Sequence, residues 1–238
     1  MKILVVGGSG GIGAATVRLL RAEGHMVFFT YCAHETKAAT LEKSTGAKKL
    51  HFDFFSDDSI SQLVDFIGKE FLDGLVYTAA QKPGRETLLK MSAGTFLDYV
   101  AHSLRGYYRA SQAFAASVKG RKSGGSLVNV LSSVVSGLPP AKQAGYVSAK
   151  YALLGLTRCQ AVEFGAFGVR VNSVSPGMTK TDFNSDLPQR FLEIYAESLP
   201  MKRLLSPEEV AEKICFLFSD KASDLRGTDI LMGGGSPC

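Results

Sequence analysis

Tyr146 and Lys150 are the two residues whose types and spacing best fit acid-base chemistry. They are separated by three residues, so in a helix they lie one turn apart on the same face. A free tyrosine has a pKa near ~10, and a cation held within a few ångströms favours the phenolate. We therefore predict that Tyr146 exchanges a proton during catalysis and that Lys150 lowers the pKa of Tyr146.

Ser133 is expected near this pair because it follows a predicted strand at 126–131 and precedes Tyr146 by 13 positions. Side chains at the ends of parallel strands emerge at the carboxyl edge of the sheet, where doubly wound folds bind ligands. A serine hydroxyl there can donate a hydrogen bond to a substrate oxygen. The neighbouring Ser132 is an alternative, and the distance to Tyr146 favours Ser133.

A glycine-rich turn follows an apolar run at 3–6 and opens a predicted helix with the sequence Gly7-Gly8-Ser9-Gly10-Gly11-Ile12-Gly13. Glycines at such a turn let the backbone approach a pyrophosphate, whose charge meets the positive end of the helix. Both GxxxGxG and GxxGxxG fit the turn, so its spacing selects no subfamily. The turn predicts a dinucleotide site, and a tight strand-to-helix connection without a ligand is the alternative.

The end of the second predicted strand, at Tyr31, bears on the choice between NAD(H) and NADP(H). Domains that prefer NAD(H) place an acidic residue there to bind the ribose 2′-hydroxyl group. Here no carboxylate occurs before Glu35, and His34 and Lys37 are close by. A phosphate-binding arginine is missing from two places where one often stands, Gly10 and Cys32. The sequence favours NADP(H), with NAD(H) as the alternative.

Short apolar strands alternate with segments of helical length along the chain. The predicted strands are 3–6, 26–31, 50–55, 75–79, 126–131, 170–175 and 229–232. The later predicted helices are 96–118, 146–164, 189–198 and 207–219. Strands that are apolar throughout are buried on both faces, so we predict an α/β fold with a Rossmann-type doubly wound parallel sheet. The prediction is a single domain over residues 1–238, with a substrate lid at about 178–205.

The composition is that of an ordinary globular chain, with 238 residues of which 45% are hydrophobic and 21% charged. The first residues lack a signal-peptide pattern and no apolar run approaches ~18 residues, so we expect a cytoplasmic protein without membrane partners. The formal charge of +5 is spread along the chain, which argues against nucleic acid. Four scattered cysteines predict no metal site and mostly structural roles: Cys32, Cys159, Cys215 and Cys238.

Jointly, these features resemble the short-chain dehydrogenase/reductase family along nearly the whole chain. The matching residues are Gly7, Gly11 and Gly13, then Asp53, Ser133, Tyr146, Lys150, Asn172-Ser173-Val174-Ser175-Pro176-Gly177 and Thr181. The segment Leu199-Pro200-Met201-Lys202-Arg203 is similar to that of 3-oxoacyl-[acyl-carrier-protein] reductases. The resemblance implies an oxidoreductase that transfers a hydride between NADP(H) and a small-molecule carbonyl or secondary alcohol.

The resemblance also implies a role for each matched residue. Tyr146 would exchange the proton with the substrate oxygen, Lys150 would hold the nicotinamide ribose, and Ser133 would orient the carbonyl. Asp53 would contact the adenine, with turn capping as the alternative. The residues expected at the cofactor are Gly7, Ser9, Gly10, Gly11, Ile12, Gly13, Tyr31, Asp53, Phe54, Ala79, Ala80, Tyr146, Lys150, Pro176, Gly177, Thr179 and Thr181.

The chain departs from the family pattern at two places. Where the family usually reads NNAG after its fourth strand, this sequence reads Tyr77-Thr78-Ala79-Ala80. Ser103 stands where the family usually has an asparagine that holds a water in a proton relay to the lysine. A hydroxyl is shorter than an amide, so Ser103 as a fourth catalytic residue would need an extra water or a different path.

Three functions are compatible with the sequence. The first is an NADPH-dependent ketone reductase, with a 3-oxoacyl chain as one candidate substrate, and the second is an alcohol dehydrogenase using the same residues in reverse. The third is a weakly catalytic cofactor-binding sensor. The resemblance further implies a homodimer or homotetramer that pairs through the two long helices, at 96–118 and 146–164, and through the last strand.

Overall fold

The computed structural model describes residues 1–234, in which strands and helices alternate along the chain. The strands are β1 Lys2–Val6, β2 Met26–Tyr31, β3 Lys48–His51, β4 Gly74–Tyr77, β5 Gly125–Val130, β6 Val169–Pro176 and β7 Asp229–Met232. The helices are α1 Gly11–Ala22, α2 Glu35–Thr45, α3 Asp57–Glu70, α4 Ala93–Val118, α5 Ala144–Glu163, α6 Gln189–Ser198 and α7 Pro207–Phe218.

The seven strands form one parallel sheet with the order β3-β2-β1-β4-β5-β6-β7. β1 is central, and its Val5 is level with Phe29 of β2 and Val76 of β4. The strand order reverses between β1 and β4, and such a switch point opens a ligand crevice at the carboxyl ends of the strands. The predicted α/β, Rossmann-type doubly wound sheet is confirmed.

Two separate apolar cores hold the helices against the sheet, one on each face. On one face, α3, α4 and α5 bury residues such as Leu63, Phe114 and Leu153. On the other face, α1, α2 and α7 contribute a second cluster that includes Leu20 and Ile214. Because both faces are covered, most residues of the inner strands are buried, as is typical of parallel sheets.

The sequence predicted most element boundaries to within a few residues, and the third strand is the main exception. The predicted strand 50–55 is wrong at both ends, since β3 ends at His51. Phe52 and Phe54 are packed against the core although they lie in the turn after the strand. The apolar residues after His51 pack against the core without belonging to the strand, which is why the predicted strand extended too far.

The cysteines differ in part from the expectation of structural roles. Cys215 is buried in the second core, whereas Cys32 and Cys159 are exposed. Cys238 lies outside the described residues. The expectation holds for Cys215 alone, because only a buried thiol contributes to packing.

The segment at about 178–205, which the sequence predicts to be a lid and which keeps that name here, is closed at its base by backbone pairing. Lys180 donates its N–H group to the carbonyl of Leu205, and Leu205 donates to the carbonyl of Met178. The lid contains a short 3₁₀ turn at Asp182–Asn184 and the helix α6. Paired ends make the lid a compact loop whose tip lies over the carboxyl edge of the sheet.

Candidate active site

The glycine turn between β1 and α1 forms one end of the site. Gly7 has a positive φ of 83°, and a Cβ atom on Gly13 would lie 2.2 Å from the Gly7 carbonyl oxygen. Both positions therefore require glycine. Gly10 caps α1 without a side-chain hydrogen bond, and the first turn carries no acidic residue. The N–H groups at the start of α1 are thus available to an anion.

Tyr146 lies in the first turn of α5 and faces the carboxyl edge of the sheet. Burial raises the pKa of its phenol above the ordinary value of 10, and a hydrogen-bonding interaction with Ser132 acts in the opposite direction. At neutral pH the phenol therefore holds its proton. The ring of Phe183, from the lid, lies 6.4 Å from the ring of Tyr146.

Of the two serines beside this site, Ser132 acts on the pKa of Tyr146, and the role of Ser133 stays a prediction. Ser132 is extended, with φ −168° and ψ 152°, and precedes the 3₁₀ turn Ser133–Val135. Ser133 is the first residue of that turn, so the backbone changes from extended to 3₁₀ between the two serines.

Lys150 is buried on the next turn of α5, with 5% of its surface exposed. Its Nζ atom donates to the carbonyl of Val130 at 2.9 Å and lies 5.7 Å from the centre of the Tyr146 ring. Burial lowers the pKa of Lys150 to about 8. Burial is the largest influence on the pKa of Tyr146, and the lowering of that pKa by Lys150 stays a prediction.

A narrow cleft of about 20 Å³, partly open to solvent, extends behind Tyr146 and Lys150 toward α4. Its lining residues come from β4, α4, α5 and the turns after β3 and β4: Phe54, Tyr77, Ala79, Ala80, Gln81, Tyr99, His102, Ser103, Tyr146, Ala149, Lys150 and Leu153. Ser103 lines this cleft, but its hydroxyl donates to the carbonyl of Tyr99 at 2.9 Å. Among the described residues, no direct hydrogen bond joins Ser103 to Lys150.

The residues that replace the family's NNAG pattern support the site in a different way. The Tyr77 hydroxyl reaches under α4, where a Cβ atom on Gly106 would lie only 2.7 Å from it. Thr78 donates its hydroxyl to the carbonyls of Val6 and Gly7, at 2.9 and 3.1 Å. The threonine therefore ties β4 to the glycine turn, and the tyrosine fills space beneath α4.

Asp53 and Phe54 lie in the turn after β3. The carboxylate of Asp53 accepts the N–H group of Phe55 at 2.9 Å, and the N–H group of Asp53 donates to Ser59 at 2.9 Å. Asp53 thus caps the turn, which was the alternative to adenine contact. Phe54 lines the cleft behind Lys150.

Tyr31, at the end of β2, belongs to a charged cluster. Its hydroxyl donates to Glu35 at 3.3 Å, and Lys49 pairs with the same carboxylate at 2.8 Å. Lys49 holds the pKa of Glu35 below its usual range. The one acidic group near the end of β2 is therefore already neutralised by a cation.

A second groove lies beside this cluster, between α1 and α2. It is open to solvent, has a volume of about 270 Å³, and is lined by Ser9, Ala14, Arg18, Thr36, Lys37, Thr40, Leu41 and Ser44. Arg18 is exposed there, and Lys37 pairs with Asp182 of the lid at 2.6 Å. The groove thus combines two cations with several hydroxyl groups.

The segment from Pro176 to Thr181 leads from β6 into the lid. Gly177 donates its N–H group to Met232 at 2.8 Å, and the buried Thr179 donates its hydroxyl to the Gly177 carbonyl at 3.0 Å. The Thr181 side chain lies against the glycine turn, because a Cβ atom on Gly11 would be 2.4 Å from its Cγ2. The lid therefore starts beside the uncapped end of α1.

Ion pairs join the lid to both flanks of the site. Lys37 of α2 binds Asp182, and Arg85, from the loop before α4, binds Asp186 at 2.7 Å. Sequence reasoning did not find these pairs, nor Phe183, Tyr99, His102 and Arg18 at the site. Among these residues, only Lys37 was noticed in the sequence, because of its positive charge near the end of β2. The ion pairs could not be predicted, because their partners lie more than 100 positions apart and leave no local pattern.

The comparisons with known proteins cover nearly the whole chain. The family model described as Enoyl-(Acyl carrier protein) reductase matches residues 7–236. Cis-4-hydroxycyclohexanecarboxylate dehydrogenase of Sinomonas cyclohexanicum is 33% identical, covering 98% of this chain and 94% of the relative. A solved short chain dehydrogenase/reductase family protein is 33% identical with a TM-score of 0.87, covering 99% and 96% of the two chains. The chain belongs to the short-chain dehydrogenase/reductase family.

Other similar proteins span a range of chemistry. The 3-oxoacyl-[acyl-carrier-protein] reductase of Pseudomonas aeruginosa is 32% identical, covering 98% of this chain and 95% of the relative. BdcA, solved in complex with NADPH, is 31% identical with a TM-score of 0.87, covering 98% and 93% of the chains. This dehydrogenase/reductase is accordingly an NAD(P)-dependent oxidoreductase.

The residues present fit a nicotinamide dinucleotide. The close approach of Thr181 to Gly11 and the uncapped start of α1 form a cradle that a side chain at Gly11 would fill. Across residues 1–234, no cluster of side chains could hold a metal ion. No helix in that range is both long and apolar enough to cross a bilayer.

Proposed function

We propose that this short-chain dehydrogenase/reductase reduces a ketone with NADPH. The observation that carries the proposal is the grouping of Ser132, Tyr146 and Lys150 at the carboxyl edge of the sheet. This group lies next to the start of α1, whose N–H groups are available to an anion. A protonated phenol suits reduction, because it supplies the proton that the carbonyl oxygen must gain.

The proposed mechanism assigns one task to each side chain. When bound, the nicotinamide supplies the hydride that reduces the carbonyl carbon. Ser132 donates a hydrogen bond to the carbonyl oxygen, and Tyr146 transfers its phenolic proton to the same oxygen. Lys150 holds positive charge beside Tyr146, which stabilises the phenolate left after that transfer.

The preference for NADP(H) is supported by charges around the groove between α1 and α2. Arg18 and Lys37 line it, and Ser9 and Thr36 add hydroxyl groups that can donate to a phosphate. Glu35 is paired with Lys49, and Asp182 is paired with Lys37 of the groove. A 2′-phosphate would meet Arg18 and Lys37 there, and both of these carboxylates are paired with lysines, so we propose the four groove residues as its binding site.

The substrate is proposed to be apolar close to its carbonyl group. Phe183 faces Tyr146 from the lid, and the base of the lid is closed by backbone pairing. The similarity to 3-oxoacyl-[acyl-carrier-protein] reductase makes a 3-oxoacyl chain the first candidate. The dehydrogenase relative makes oxidation of a ring alcohol the second, with the same residues acting in reverse.

The experiment that tests this function begins with fluorescence titration of the protein by NADPH and by NADH. Ketones, including 3-oxoacyl esters, are then screened with the cofactor that binds more tightly. We expect tighter binding of NADPH, and turnover that falls by about 10²-fold or more in Tyr146→Phe, which lacks the acidic proton. Undiminished turnover in that variant would contradict the assignment, and binding without turnover on any carbonyl would favour a sensor.

A further inference from the structure

Lys37 takes part in two features of the molecule at once. It lines the groove between α1 and α2, where the 2′-phosphate is proposed to bind, and its Nζ atom also donates to the Oδ2 atom of Asp182, in the lid, at 2.6 Å. A lysine presents three hydrogen-bond donors but only one positive charge. A carboxylate that already holds this charge therefore weakens the attraction that the groove has left for a phosphate.

The carboxylate of Asp182 is held beside the groove by the backbone of the lid. Asp182 begins the 3₁₀ turn Asp182–Asn184, in which Asn184 donates its N–H group to the carbonyl of Thr181 at 3.1 Å. The side chain of Thr181 in turn lies against Gly11 of the glycine turn. The turn and its contact with α1 therefore fix where this carboxylate stands.

Asp182 carries its full negative charge at neutral pH. The hydrogen bond from Lys37 holds the pKa of Asp182 below its usual range, and the charges of His34 and Lys82 act in the same direction. The ionised carboxylate and a bound phosphate would both be attracted to Lys37. The free energy of the existing ion pair is then lost, in whole or in part, when a phosphate takes over the cation.

Glu35, a second carboxylate near the end of β2, differs from Asp182 in the origin of its partner. Glu35 pairs with Lys49 at 2.8 Å, and Lys49 is not among the described residues that line the groove. Pairing of Glu35 therefore uses a cation from outside the groove. Pairing of Asp182 uses one of the two cations that line it, so of these two carboxylates only Asp182 occupies a charge that a phosphate would need.

We propose that Asp182 limits the preference of this protein for NADPH over NADH by competing with the 2′-phosphate for Lys37. This inference rests on the proposed phosphate site between α1 and α2. It makes Asp182 a positioning residue that acts through Lys37, and it requires no contact between Asp182 and the cofactor. NADH carries a hydroxyl group in place of the phosphate, so its binding does not depend on this cation.

The first test compares the Kd values of NADPH and NADH for Asp182→Asn and wild type, measured by fluorescence titration. Asparagine has nearly the shape of aspartate and favours the same turns, but it carries no charge. We expect the variant to bind NADPH about fivefold more tightly, which is the effect of releasing one exposed ion pair at the upper end of its usual range. The Kd of NADH should stay within twofold of wild type.

The matched control is Asp186→Asn, which removes a carboxylate from the same lid. Asp186 pairs with Arg85, from the loop before α4, at 2.7 Å. This change also removes one negative charge and one tie of the lid, but it releases no cation of the groove. The ratio of the two Kd values should stay within twofold of wild type. An equal gain in NADPH affinity in Asp182→Asn and Asp186→Asn would overturn the proposal.

The double variant that combines Lys37→Gln with Asp182→Asn tests whether the effect depends on Lys37. Without the lysine, the carboxylate has no groove cation to hold. Adding Asp182→Asn to Lys37→Gln should therefore change the Kd of NADPH by less than twofold, and this non-additivity measures the coupling between the two residues. A fivefold gain that persists without Lys37 would contradict the competition.

Two adenosine fragments separate failure of this inference from failure of the proposed phosphate site. Calorimetry measures the binding of adenosine 2′,5′-bisphosphate and of adenosine 5′-monophosphate, which differ only in the 2′-phosphate and undergo no turnover. Asp182→Asn should favour the bisphosphate by a larger factor than wild type does. If neither protein distinguishes the two fragments, the phosphate site is wrong. If both proteins favour the bisphosphate by the same factor, the site is supported and the competition is wrong.

Discussion

Ser132 and Ser133 offer two hydroxyl groups at consecutive positions, and backbone conformation decides which one faces Tyr146. Ser132 is the last extended residue after β5, and its side-chain oxygen also accepts the N–H group of Val134 at 3.4 Å. Ser133 begins the 3₁₀ turn, where its carbonyl accepts the N–H group of Ser136. The first serine is thus directed by the strand, and the second mainly shapes the turn.

The two serines form a matched pair for mutation. We expect Ser132→Ala to lower kcat by about 10²-fold, because the substrate oxygen loses a hydrogen-bond donor. Ser133→Ala should change kcat by less than about threefold, since this hydroxyl lies outside the Tyr146 contact. Steady-state kinetics measure kcat of both variants. A larger loss of kcat in Ser133→Ala than in Ser132→Ala would show that Ser133 is the donor to the substrate oxygen.

Lys150 makes the stability of the free protein depend on pH in a specific window. Burial lowers the pKa of Lys150 from 10.5 to about 8, while the unfolded chain keeps the ordinary value. Between these two values the unfolded state binds more protons than the folded state. The free energy of unfolding therefore rises with pH in this window. Below pH 8 the full cost of burying the charge is present.

Lys150→Met should therefore raise the free energy of unfolding at pH 7, by up to about 3 kcal/mol. The gain should shrink as the pH rises from 8 toward 10.5, where wild-type Lys150 is neutral in the folded state. Denaturant unfolding at pH 7 and pH 9.5 measures this difference. The exposed Lys213→Met serves as control, and an equal gain at both pH values for Lys150→Met would contradict the expectation.

The proximity of Tyr146 and Lys150 could be predicted from sequence because a helix fixes their relative placement locally. The orientation of a serine after β5 could not, because a loop separates it from Tyr146, and the role of Ser133 stays a prediction. The shift in the pKa of Tyr146 was also beyond the sequence. It depends on burial beneath the lid and on Ser132, which only the folded chain brings together.

At the scale of elements, apolar runs predicted the strands well where sheet pairing and burial coincide. They failed at β3, an edge strand that carries Lys48 and Lys49, because its neighbour Phe52 is buried without being paired as a strand. Charged residues on an edge strand oppose pairing with another chain, and they also weaken the apolar signal. The lid contacts were unpredictable for a different reason, since they join distant segments through exposed charges.

The ion pairs of the lid should control its opening more than the stability of the fold. Exposed pairs contribute at most about 1 kcal/mol each, so the double variant Lys37→Gln with Arg85→Gln should unfold at nearly the wild-type denaturant concentration. Hydrogen exchange in the lid should become faster, because two ties to the flanks are lost. Mass spectrometry of exchanged peptides measures this change.

The control for the lid is Arg105→Gln, which removes an exposed ion pair with Asp57 away from the lid. It should leave exchange in the lid unchanged. Lid protection that is the same in the double variant and in wild type would show that backbone pairing at the base is sufficient.

At the scale of the whole molecule, the outer faces of α4 and α5 carry apolar side chains in contact with solvent. Leu97, Tyr108, Tyr151 and Val162 are between 43% and 80% exposed. Exposed apolar side chains on two neighbouring helices are compatible with an interface between subunits. We expect these two helices to pair with a second copy of the chain, as the family resemblance implies.

Light scattering at micromolar concentration should therefore give the mass of a dimer or tetramer. Tyr151→Glu combined with Val162→Glu places two charges on one of these faces, and we expect it to shift the mass toward the monomer. Retained NADPH binding in the variant would show that the fold is intact. A monomeric wild-type protein would rule out this assembly.

The interior position of β1 has a consequence for how the chain is made. β1 is completed within the first six residues, yet its partner β4 is not reached until residue 74. While the chain leaves the ribosome, one edge of a strand that is apolar after Lys2 stays unpaired through some 70 residues of synthesis, at about 5–20 residues per second. For those seconds an unpaired strand edge is open to other nascent chains. Expression conditions that slow translation should therefore increase aggregation of this protein.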